Sequence, residues 1–298
     1  MDIVKKIKNL KCGKVLEKVD LIKYNTYKVS SICKCMVFPE NEKSLIKLLK
    51  LLKQEEVKYK VLGNGSNVIF NSSGYDGVII KLDEFKDLEI KDTVVTVGAG
   101  YSLMKLALKT CKLGYWGLEF ATGIPGTVGG AVYMNAGAYN SDMGYIVSEV
   151  RVLTPDYKIK RLYNKDLKFK YRSSFLQNNK DYICLGVKLV LKPGKKEEIM
   201  ELIEERKQRR LLSQPLEYPS AGSVFRNPEG DFAGRLIEEV GYKGKKIGGA
   251  EVSCKHANFI INTGGAKGED IKKLIQEVQE KVKDKYSIEL KVEQEFVE

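Results

Sequence analysis

The sequence has 298 residues, enough for two ordinary domains with a core each. Its 43% hydrophobic content is that of a globular protein, and no apolar run approaches the roughly 20 residues that a membrane helix needs. A net charge of +12, from 51 Lys and Arg against 39 Asp and Glu, favours anionic ligands, but the lysines are spread along the chain, which is not the pattern of a nucleic-acid groove.

The cysteines and the single histidine offer little material for a metal site or a disulfide framework. The six cysteines are scattered, with one Cys-x-Cys and no Cys-x-x-Cys. The first residues, MDIVKKIKNLKCGK, lack the uninterrupted apolar core of a signal peptide. We therefore expect free thiols, no metal and a cytoplasmic protein.

The first part of the chain predicts strands with a few helices. Residues 41–54 place four leucines on one face of a helix. Residues 57–70 predict a strand, a glycine turn and a second strand, and short β runs follow at 77–82 and 93–100. Ser102 then caps a helix that ends at the next glycine.

Further along, residues 148–162 predict a hairpin whose turn contains Pro155 and Asp156. Residues 182–192 form a strongly β-like run. The basic helix predicted over 195–212 is interpreted as a connector, after which a second unit begins.

The second unit predicts a short helix over 235–242, a strand over 258–264 and an amphipathic helix over 269–286. In the terminal segment 288–293, apolar and charged residues alternate, which predicts a final strand. We interpret the chain as two α+β domains without internal repeats.

The stretch at 121–139, ATGIPGTVGGAVYMNAGAY, holds five glycines and almost no charge. Glycine is favoured where the chain turns with positive φ or lies against another group. The stretch therefore predicts either tight turns inside a sheet protein or backbone amides that approach a phosphate or a flat ring. We favour the ligand-binding interpretation, because Met134, Asn135 and Ala136 would let the stretch line a binding site as well as form a turn.

Two other glycine segments, GNGSNV at 63–68 and GAGYSL at 98–103, lack the third glycine of the Rossmann fingerprint. Neither contains the Gly-Lys-Ser/Thr of a P-loop. A turn over 63–67 can still form a nest of amides around a phosphate. Taken alone, this segment is weak support for a phosphate site.

Taken together, VLGNGSNVIF and GLEFATGIPGTVGGAVYMNAGAY resemble the FAD-binding half of the UDP-N-acetylenolpyruvoylglucosamine reductase family. Further matches follow in the same order: YRSSFL at 171–176, SAGSVFRNP at 220–228, GGAEVSCKHANFIIN at 248–262 and the ending YSIELKVEQEF. The resemblance runs from about Tyr24 to Phe296.

The resemblance implies an α+β fold: a vanillyl-alcohol-oxidase/PCMH-type FAD-binding domain over 1–193, with an N-terminal segment, and an α+β substrate-binding domain over 194–298. The second domain would close over the first, and its final strand would return to the active site. The implied cofactor-binding residues are Gly63, Asn64, Gly65, Ser66, Asn67, Thr122, Gly123, Pro125, Gly126, Gly129, Gly130, Asn135, Ala136 and Gly137. The only histidine, His256, lies in the other domain, so the usual covalent tether is unavailable and FAD binding should be noncovalent.

The family's reaction reduces an enolpyruvyl ether to a lactyl ether, with NADPH as hydride donor and FAD as carrier. The resemblance therefore implies reduction of UDP-N-acetylglucosamine enolpyruvate to UDP-N-acetylmuramate in peptidoglycan precursor synthesis. Hydride addition to the terminal alkene carbon leaves negative charge on its neighbour, delocalised into the carboxylate. Such a site needs cationic or hydrogen-bond-donating groups on that carboxylate and one proton donor.

Three matched positions are the candidate catalytic residues. Arg172, in YRSS, would stabilise the enolate-like intermediate, unless it is a surface arginine that closes a turn. Ser223, in AGSVF, would donate the proton, unless it is a turn serine after Gly222. Glu293, on the polar face of the last strand, would help order the carboxylate and its arginine, unless it is a solvated strand residue.

The sequence departs from the family pattern at two places. The family usually continues Glu-Val-Arg, whereas this chain reads Glu293-Gln294-Glu295 and so replaces a positive charge with a negative one. A typical glycine pair near the start is replaced by Ser30 and Ser31, which we expect to loosen or shift an N-terminal contact with FAD. We expect neither change to remove activity.

In the second domain, four residues are candidates for holding the UDP-sugar: Asn227, Lys255, His256 and Asn258. The histidine could equally be a structural residue. The expected partners are NADPH and the UDP-sugar, which the resemblance implies bind in turn to one cleft. We expect no nucleic acid, no membrane and no obligatory protein partner.

Two other classes of function are alternatives to the reductase. A flavin oxidase or dehydrogenase of the same fold is disfavoured, because the resemblance extends into SAGSVFRNP and KHANFI on the substrate side. A basic nucleotide- or RNA-binding module without catalysis would bind no flavin, and a colourless purified protein would favour it.

Overall fold

The structure, a computed structural model, describes residues 2–298 and divides into two compact units. Unit 1 contains the chain up to Glu17, Cys35–Asn64 and Gly77–Lys207, and unit 2 contains Lys18–Lys34, Gly65–Asp76 and Gln208–Glu298. Two early segments thus belong with the C-terminal third. The domain boundary after residue 193 stays a prediction, because compactness does not by itself establish which part folds independently.

Residues 2–298 contain nine α-helices: α1 (Ile3–Asn9), α2 (Glu42–Gln54), α3 (Leu103–Lys112), α4 (Val128–Met134), α5 (Asn164–Leu167), α6 (Phe175–Asn178), α7 (Lys196–Ser213), α8 (Ala233–Glu239) and α9 (Gly268–Tyr286). Short 3₁₀ helices cover Leu21–Tyr24, Glu119–Ala121 and Met143–Tyr145. None of the helices in this described part of the chain combines the length and the apolar content that a membrane crossing requires.

The same residues contain eighteen strands: β1 (Gly13–Asp20), β2 (Ile32–Pro39), β3 (Tyr59–Val61), β4 (Val68–Phe70), β5 (Tyr75–Ile80), β6 (Leu88–Lys91), β7 (Val94–Gly98), β8 (Tyr115–Trp116), β9 (Gly137–Ala138), β10 (Ser141–Asp142), β11 (Val147–Leu153), β12 (Ile159–Tyr163), β13 (Ile183–Val190), β14 (Lys192–Pro193), β15 (Lys246–Ile247), β16 (Ala250–Val252), β17 (Ile260–Asn262) and β18 (Glu295–Val297).

The largest sheet of unit 1 has the strand order β12-β11-β13-β7-β6, and all of its neighbours are antiparallel. The predicted hairpin around Pro155 and Asp156 is the β11–β12 pair, in which Leu153 lies opposite Ile159. A second sheet has the order β1-β2-β5-β3, with β3 and β5 parallel. Short pairs, β9 with β10 and β8 with β14, complete this part of the fold.

The core of unit 1 forms where the predicted amphipathic helices bury their apolar faces. Helix α2 begins at its N-cap Asn41, whose side chain accepts a hydrogen bond from the Ser44 N–H at 3.0 Å. The four leucines of its predicted apolar face, Leu45, Leu48, Leu49 and Leu52, are buried, as the periodicity predicted. Helix α3 is capped by Ser102 and followed by Gly114 with a φ of +80°, which also agrees with the sequence analysis.

Unit 2 contains the antiparallel sheet β15-β16-β17, the parallel pair β4–β18 and the helices α8 and α9. Helix α9 buries the apolar stripe that the sequence predicted: Ile271, Leu274, Ile275, Val278 and Val282. The predicted final strand is wrong in position. Residues 288–294 form only an isolated bridge, between Val292 and Phe225, and the strand itself is β18, because the segment that runs beside β4 starts at Glu295.

All six cysteines are free thiols, as the sequence analysis expected, and five of them are buried. Cys254 is the exposed one.

Candidate active site

The glycine-rich stretch of unit 1 contains a helix that the sequence analysis missed. After a loop, α4 runs through Gly129 and Gly130, capped by the side chain of Thr127, which accepts from the Gly130 N–H at 3.2 Å. Asn135 ends the helix in a left-handed conformation with a φ of +44°. Two glycines in seven residues lower helix propensity, so the local sequence favoured turns, and only the cap at Thr127 could have indicated the helix.

Within unit 1, the beginning of the first glycine turn contacts this stretch. Gly63 lies so close to Thr127 that a Cβ on Gly63 would be 2.8 Å from the Thr127 Oγ1. The Asn64 Nδ2 donates to the Pro125 carbonyl at 3.3 Å. The structure therefore brings together two segments that the sequence assigned to the cofactor from positions some sixty residues apart.

A buried lysine that the sequence analysis did not identify supports this turn. The Lys81 Nζ donates to the Gly63 carbonyl and forms an ion pair with Asp83 at 3.3 Å. Burial lowers the pKa of the Lys81 ammonium, and the Asp83 carboxylate opposes that shift. No signal in the sequence distinguishes this lysine from the many on the surface.

The glycines of the stretch serve different purposes. Added Cβ atoms at Gly129 and Gly137 would lie 2.9 Å from the Ala99 Cβ and 2.4 Å from the Ser141 carbonyl oxygen, so the protein's own packing requires these two glycines. Gly126 is different, because it is buried but a Cβ there would meet no atom within 4 Å apart from its chain neighbours. The space beside the Gly126 Cα is therefore open, and we call this space the cradle.

The other predicted cofactor residues of this stretch lie before and after Gly126 in the sequence. They lie in the loop before α4 (Thr122, Gly123 and Pro125), in its first turn (Gly129 and Gly130) or directly after it (Asn135, Ala136 and Gly137). Their contacts with a cofactor stay predictions.

Arg172 is tied to the glycine stretch in unit 1. Its Nη2 donates to the Gly137 carbonyl at 2.7 Å, and its guanidinium lies over the Tyr171 ring at 5.1 Å. The backbone N–H groups and carbonyls of Lys170 and Ser173 pair reciprocally at 3.0 Å, which leaves Arg172 in a tight turn with a φ of +52°. A left-handed arginine is uncommon and is kept in place by its surroundings. Arg172 therefore both adopts the left-handed turn and contacts the glycine-rich stretch.

The Asn135 side chain anchors the turn that carries Arg172. Asn135 is 1% exposed, its Nδ2 donates to the Lys170 carbonyl at 2.9 Å, and its Oδ1 accepts from the Gly144 N–H at 2.9 Å. Asn135 is a predicted cofactor residue, but these contacts give its side chain a scaffolding role as well.

In unit 2, the second half of the first glycine turn is held by the backbone. Gly65 has a φ of +64°, and a Cβ on it would be 2.1 Å from the Tyr24 carbonyl oxygen. The Thr26 N–H donates to the Gly65 carbonyl at 3.1 Å. Among the backbone–backbone hydrogen bonds of residues 2–298, none uses the N–H of Gly65 or Ser66 as a donor. These two amides fit the predicted anion nest.

Ser223 directly precedes two residues, Val224 and Phe225, that Asn258 holds by hydrogen bonds. The Val224 N–H donates to the Asn258 carbonyl at 2.9 Å. The Asn258 side chain accepts from the Phe225 N–H at 2.9 Å and donates to the Phe225 carbonyl at 2.8 Å. Asn258 is 4% exposed. Its predicted contact with substrate stays untested, but its side chain positions the segment that carries Ser223.

Glu293 lies on the segment beside Ser223. The Glu293 N–H donates to the Val224 carbonyl at 2.8 Å, and the Asn67 Nδ2 donates to the Glu293 carbonyl at 3.1 Å. Both Ser223 and Glu293 are half-buried. The structure therefore brings two of the three candidate catalytic residues onto adjacent segments of one unit.

The remaining substrate candidates also lie in unit 2. The Asn227 Oδ1 accepts from the Ala233 N–H at 3.1 Å, at the start of α8. The Lys255 Nζ donates to the Leu211 carbonyl at 2.7 Å. The Nδ1 of His256 accepts from the Asn258 N–H at 3.2 Å, and burial lowers the pKa of the ring, which favours a neutral structural histidine.

Comparisons with known proteins agree over nearly the whole chain. Residues 33–163 match a family model described as an FAD binding domain, and residues 214–297 match the model of the C-terminal domain of UDP-N-acetylenolpyruvoylglucosamine reductase. The UDP-N-acetylenolpyruvoylglucosamine reductase of Anoxybacillus flavithermus is 45% identical over 286 residues, which cover 96% of this chain and 95% of that protein. The enzyme of that name from Bacillus subtilis is 41% identical over 296 residues and covers 99% and 98%.

A solved structure shows the same likeness in three dimensions. The crystal structure of UDP-N-acetylenolpyruvylglucosamine reductase from Thermus caldophilus has a TM-score of 0.81 and 34% identity, and the match covers 96% of this chain and 98% of that one. A glucose dehydrogenase with a TM-score of 0.53 and 10% identity, over 66% of this chain and 45% of its own, shares the fold alone. The predicted α+β fold class with its FAD-binding domain is confirmed.

Proposed function

This chain belongs to the UDP-N-acetylenolpyruvoylglucosamine reductase family, and we propose that it reduces UDP-N-acetylglucosamine enolpyruvate to UDP-N-acetylmuramate with NADPH as the hydride donor. The protein is an FAD-dependent oxidoreductase. We assign the reaction to the synthesis of peptidoglycan precursors. The net charge of +12 suits the successive capture of two anionic small molecules.

The cradle at Gly126 and the turn that begins at Gly63 would hold the cofactor. The open space beside Gly126 leaves room for part of the cofactor, and the amides of Gly65 and Ser66 are suited to an anion. Bound FAD would carry hydride from NADPH to the enolpyruvyl carbon. Because the only histidine of the chain, His256, lies outside both glycine segments, we propose that FAD is held noncovalently.

The observation that carries the proposal is the hydrogen bond between the Arg172 guanidinium and Gly137. It fixes a cation on the stretch proposed to line the flavin. A guanidinium has five N–H donors, so it can bond to the Gly137 carbonyl and to a substrate carboxylate together. Charge that develops on that carboxylate after hydride addition would be stabilised there by a group already oriented in the protein.

Ser223 is the proposed proton donor. Its O–H bond breaks while the electron pair of the enolate forms the new C–H bond, and the serine then recovers a proton from water. Serine is a poor acid in water, but a carbanionic enolate is a strong base, so the transfer needs no histidine. Glu293, on the segment beside Ser223, is proposed to order the carboxylate and its arginine.

The experiment that tests this function is analysis of the product. The purified protein is incubated with FAD, NADPH and UDP-N-acetylglucosamine enolpyruvate, and the UDP-sugar is followed by mass spectrometry. We expect the sugar to gain two hydrogen atoms in step with NADPH oxidation, while UDP-N-acetylglucosamine, which lacks the alkene, stays unchanged. NADPH oxidation without a change in the sugar would contradict the proposed substrate.

A further inference from the structure

Gln294 in unit 2 has a buried side-chain amide that contacts the backbone carbonyl groups of three successive residues. Its side chain is 4% exposed. The Nε2 lies 3.1 Å from the carbonyl oxygen of Ala221, 3.3 Å from that of Gly222 and 3.4 Å from that of Ser223. A single side chain from the end of the chain therefore contacts the backbone on which the proposed proton donor lies.

The orientation of the Gln294 amide is fixed by Tyr27. The Tyr27 hydroxyl donates to the Gln294 Oε1 at 2.9 Å, and Tyr27 is 1% exposed. Because burial raises the pKa of this phenol, it remains a donor at neutral pH. Asn262 in turn donates to the Tyr27 carbonyl at 2.8 Å. With the acceptor side of the amide engaged by Tyr27, the donor side faces the three carbonyls.

The backbone that Gln294 contacts is a left-handed turn. Gly222 has a φ of +74°, and a Cβ on it would meet no atom within 4 Å, so glycine is required there for its conformation and not for space. Asn258 holds the segment from Val224 onward. Gln294 contacts the turn before it, from Ala221 to Ser223, so the two buried amides act on opposite sides of Ser223.

We propose that Gln294 is a positioning residue that sets the location of the Ser223 hydroxyl for proton transfer. The inference rests on the proposed role of Ser223. Gln294 does not contact the reacting atoms in this account, because its donors are engaged by backbone carbonyls. Proton transfer depends on close approach, and a misplacement of about 1 Å can reduce a rate on the order of 100-fold.

The test compares Gln294→Met with Gln279→Met. Gln279 is a matched control, since its Nε2 donates to a single carbonyl, that of Leu290, at 2.8 Å in the same unit. With FAD bound, we expect Gln294→Met to slow reoxidation of the flavin by UDP-N-acetylglucosamine enolpyruvate by roughly 10- to 100-fold. Flavin reduction by NADPH should stay within about twofold, and Gln279→Met should change neither step by more than that.

A second readout does not depend on catalysis. Hydrogen exchange of the cofactor-free protein, measured by mass spectrometry on peptides spanning 219–226, should be faster in Gln294→Met than in the Gln279→Met control. Tyr27→Phe frees the amide to rotate and should show both effects more weakly, which keeps the inference testable where Gln294→Met does not fold. Unchanged exchange and unchanged reoxidation in Tyr27→Phe and Gln294→Met would overturn it.

A double variant separates this inference from the proposed function. If Gln294 acts through Ser223, Gln294→Met should cause no further loss of the reoxidation rate in a Ser223→Ala background. An equal loss in both backgrounds overturns the positioning role and leaves the function intact. Normal reoxidation in Ser223→Ala alone overturns the proposed role of Ser223, and the inference with it.

Discussion

His256 combines a buried ring with neighbours of both charges. Burial is the largest cause that lowers its pKa from the ordinary value of 6.5, Lys243 lowers the pKa further, and Glu238 raises it. The Nδ1 is already engaged as an acceptor by the Asn258 N–H. Protonation of the ring would break that hydrogen bond, so the folded state prefers the neutral form.

This preference makes stability depend on pH. Because the pKa is lower in the folded than in the unfolded state, the unfolded state binds the proton first as pH falls below 6.5. The contribution of neutral His256 is therefore fully present above pH 6.5 and is lost as the pH falls toward the folded-state pKa.

The corresponding variant is His256→Gln. We expect the difference in unfolding free energy between the wild type and this variant to shrink between pH 8 and pH 5, because the variant cannot lose stability by protonation at this position. Urea unfolding curves at several pH values measure the difference. Parallel stability profiles for the two proteins would show that His256 has no linked proton.

At the scale of elements, the glycine-rich stretch contains one glycine that packing requires and another that we propose serves cofactor binding. Gly129 contacts Ala99, whereas the buried Gly126 faces unfilled space. Neither has a positive φ, so an alanine is conformationally allowed at both positions. This makes them a matched pair of sites within one segment.

We expect Gly126→Ala to leave the unfolding midpoint of the cofactor-free protein nearly unchanged and to weaken FAD binding by roughly 10-fold or more, because one methyl group fills the cradle. Gly129→Ala should instead destabilise the protein by about 1–3 kcal/mol through overpacking against Ala99. Flavin fluorescence titration and thermal unfolding measure the two quantities. Normal FAD affinity in Gly126→Ala would remove the cradle from the account.

Elements with strong local patterns were predictable from the sequence. The leucines of α2 and the apolar stripe of α9 repeat with the helical period, and the structure buries both. Helix α4 was not predictable by periodicity. Close packing, such as that of Gly129 against Ala99, requires glycine where an apolar side chain would otherwise indicate the helical period. The terminal strand was predicted at the wrong position. Alternation of apolar and charged residues indicates which side chains are buried, but it does not indicate which strand pairs with the segment.

The roles of individual polar residues were less predictable. The side chains of Asn135 and Asn258 were assigned to ligands, but each holds the backbone that carries a candidate catalytic residue. The Lys81 side chain contacts a carbonyl 18 positions away, and the Gln294 side chain contacts Tyr27, 267 positions away. A single sequence contains no local signal for such partners.

At the scale of the molecule, each unit brings together candidate site residues from segments that are separated in sequence. In unit 1, the glycine stretch, the turn at Gly63 and Arg172 are joined by hydrogen bonds and close packing. In unit 2, Tyr27 and Gln294 are 267 positions apart in sequence and in direct contact. The match to one enzyme family covers 96% of the chain, so residues of both units belong to it.

The central claim is that this protein passes hydride from NADPH to an enolpyruvyl sugar and completes the reduction with a proton from Ser223. The most direct measurement is anaerobic: the flavin absorbance is followed after NADPH is added and again after UDP-N-acetylglucosamine enolpyruvate is added. We expect the absorbance of the wild type to bleach and then return rapidly. Ser223→Ala should bleach equally well but recover roughly 10²- to 10⁴-fold more slowly, as for loss of a general acid. A wild-type flavin that stays bleached after the sugar is added, or a Ser223→Ala variant that recovers at the wild-type rate, would contradict the account.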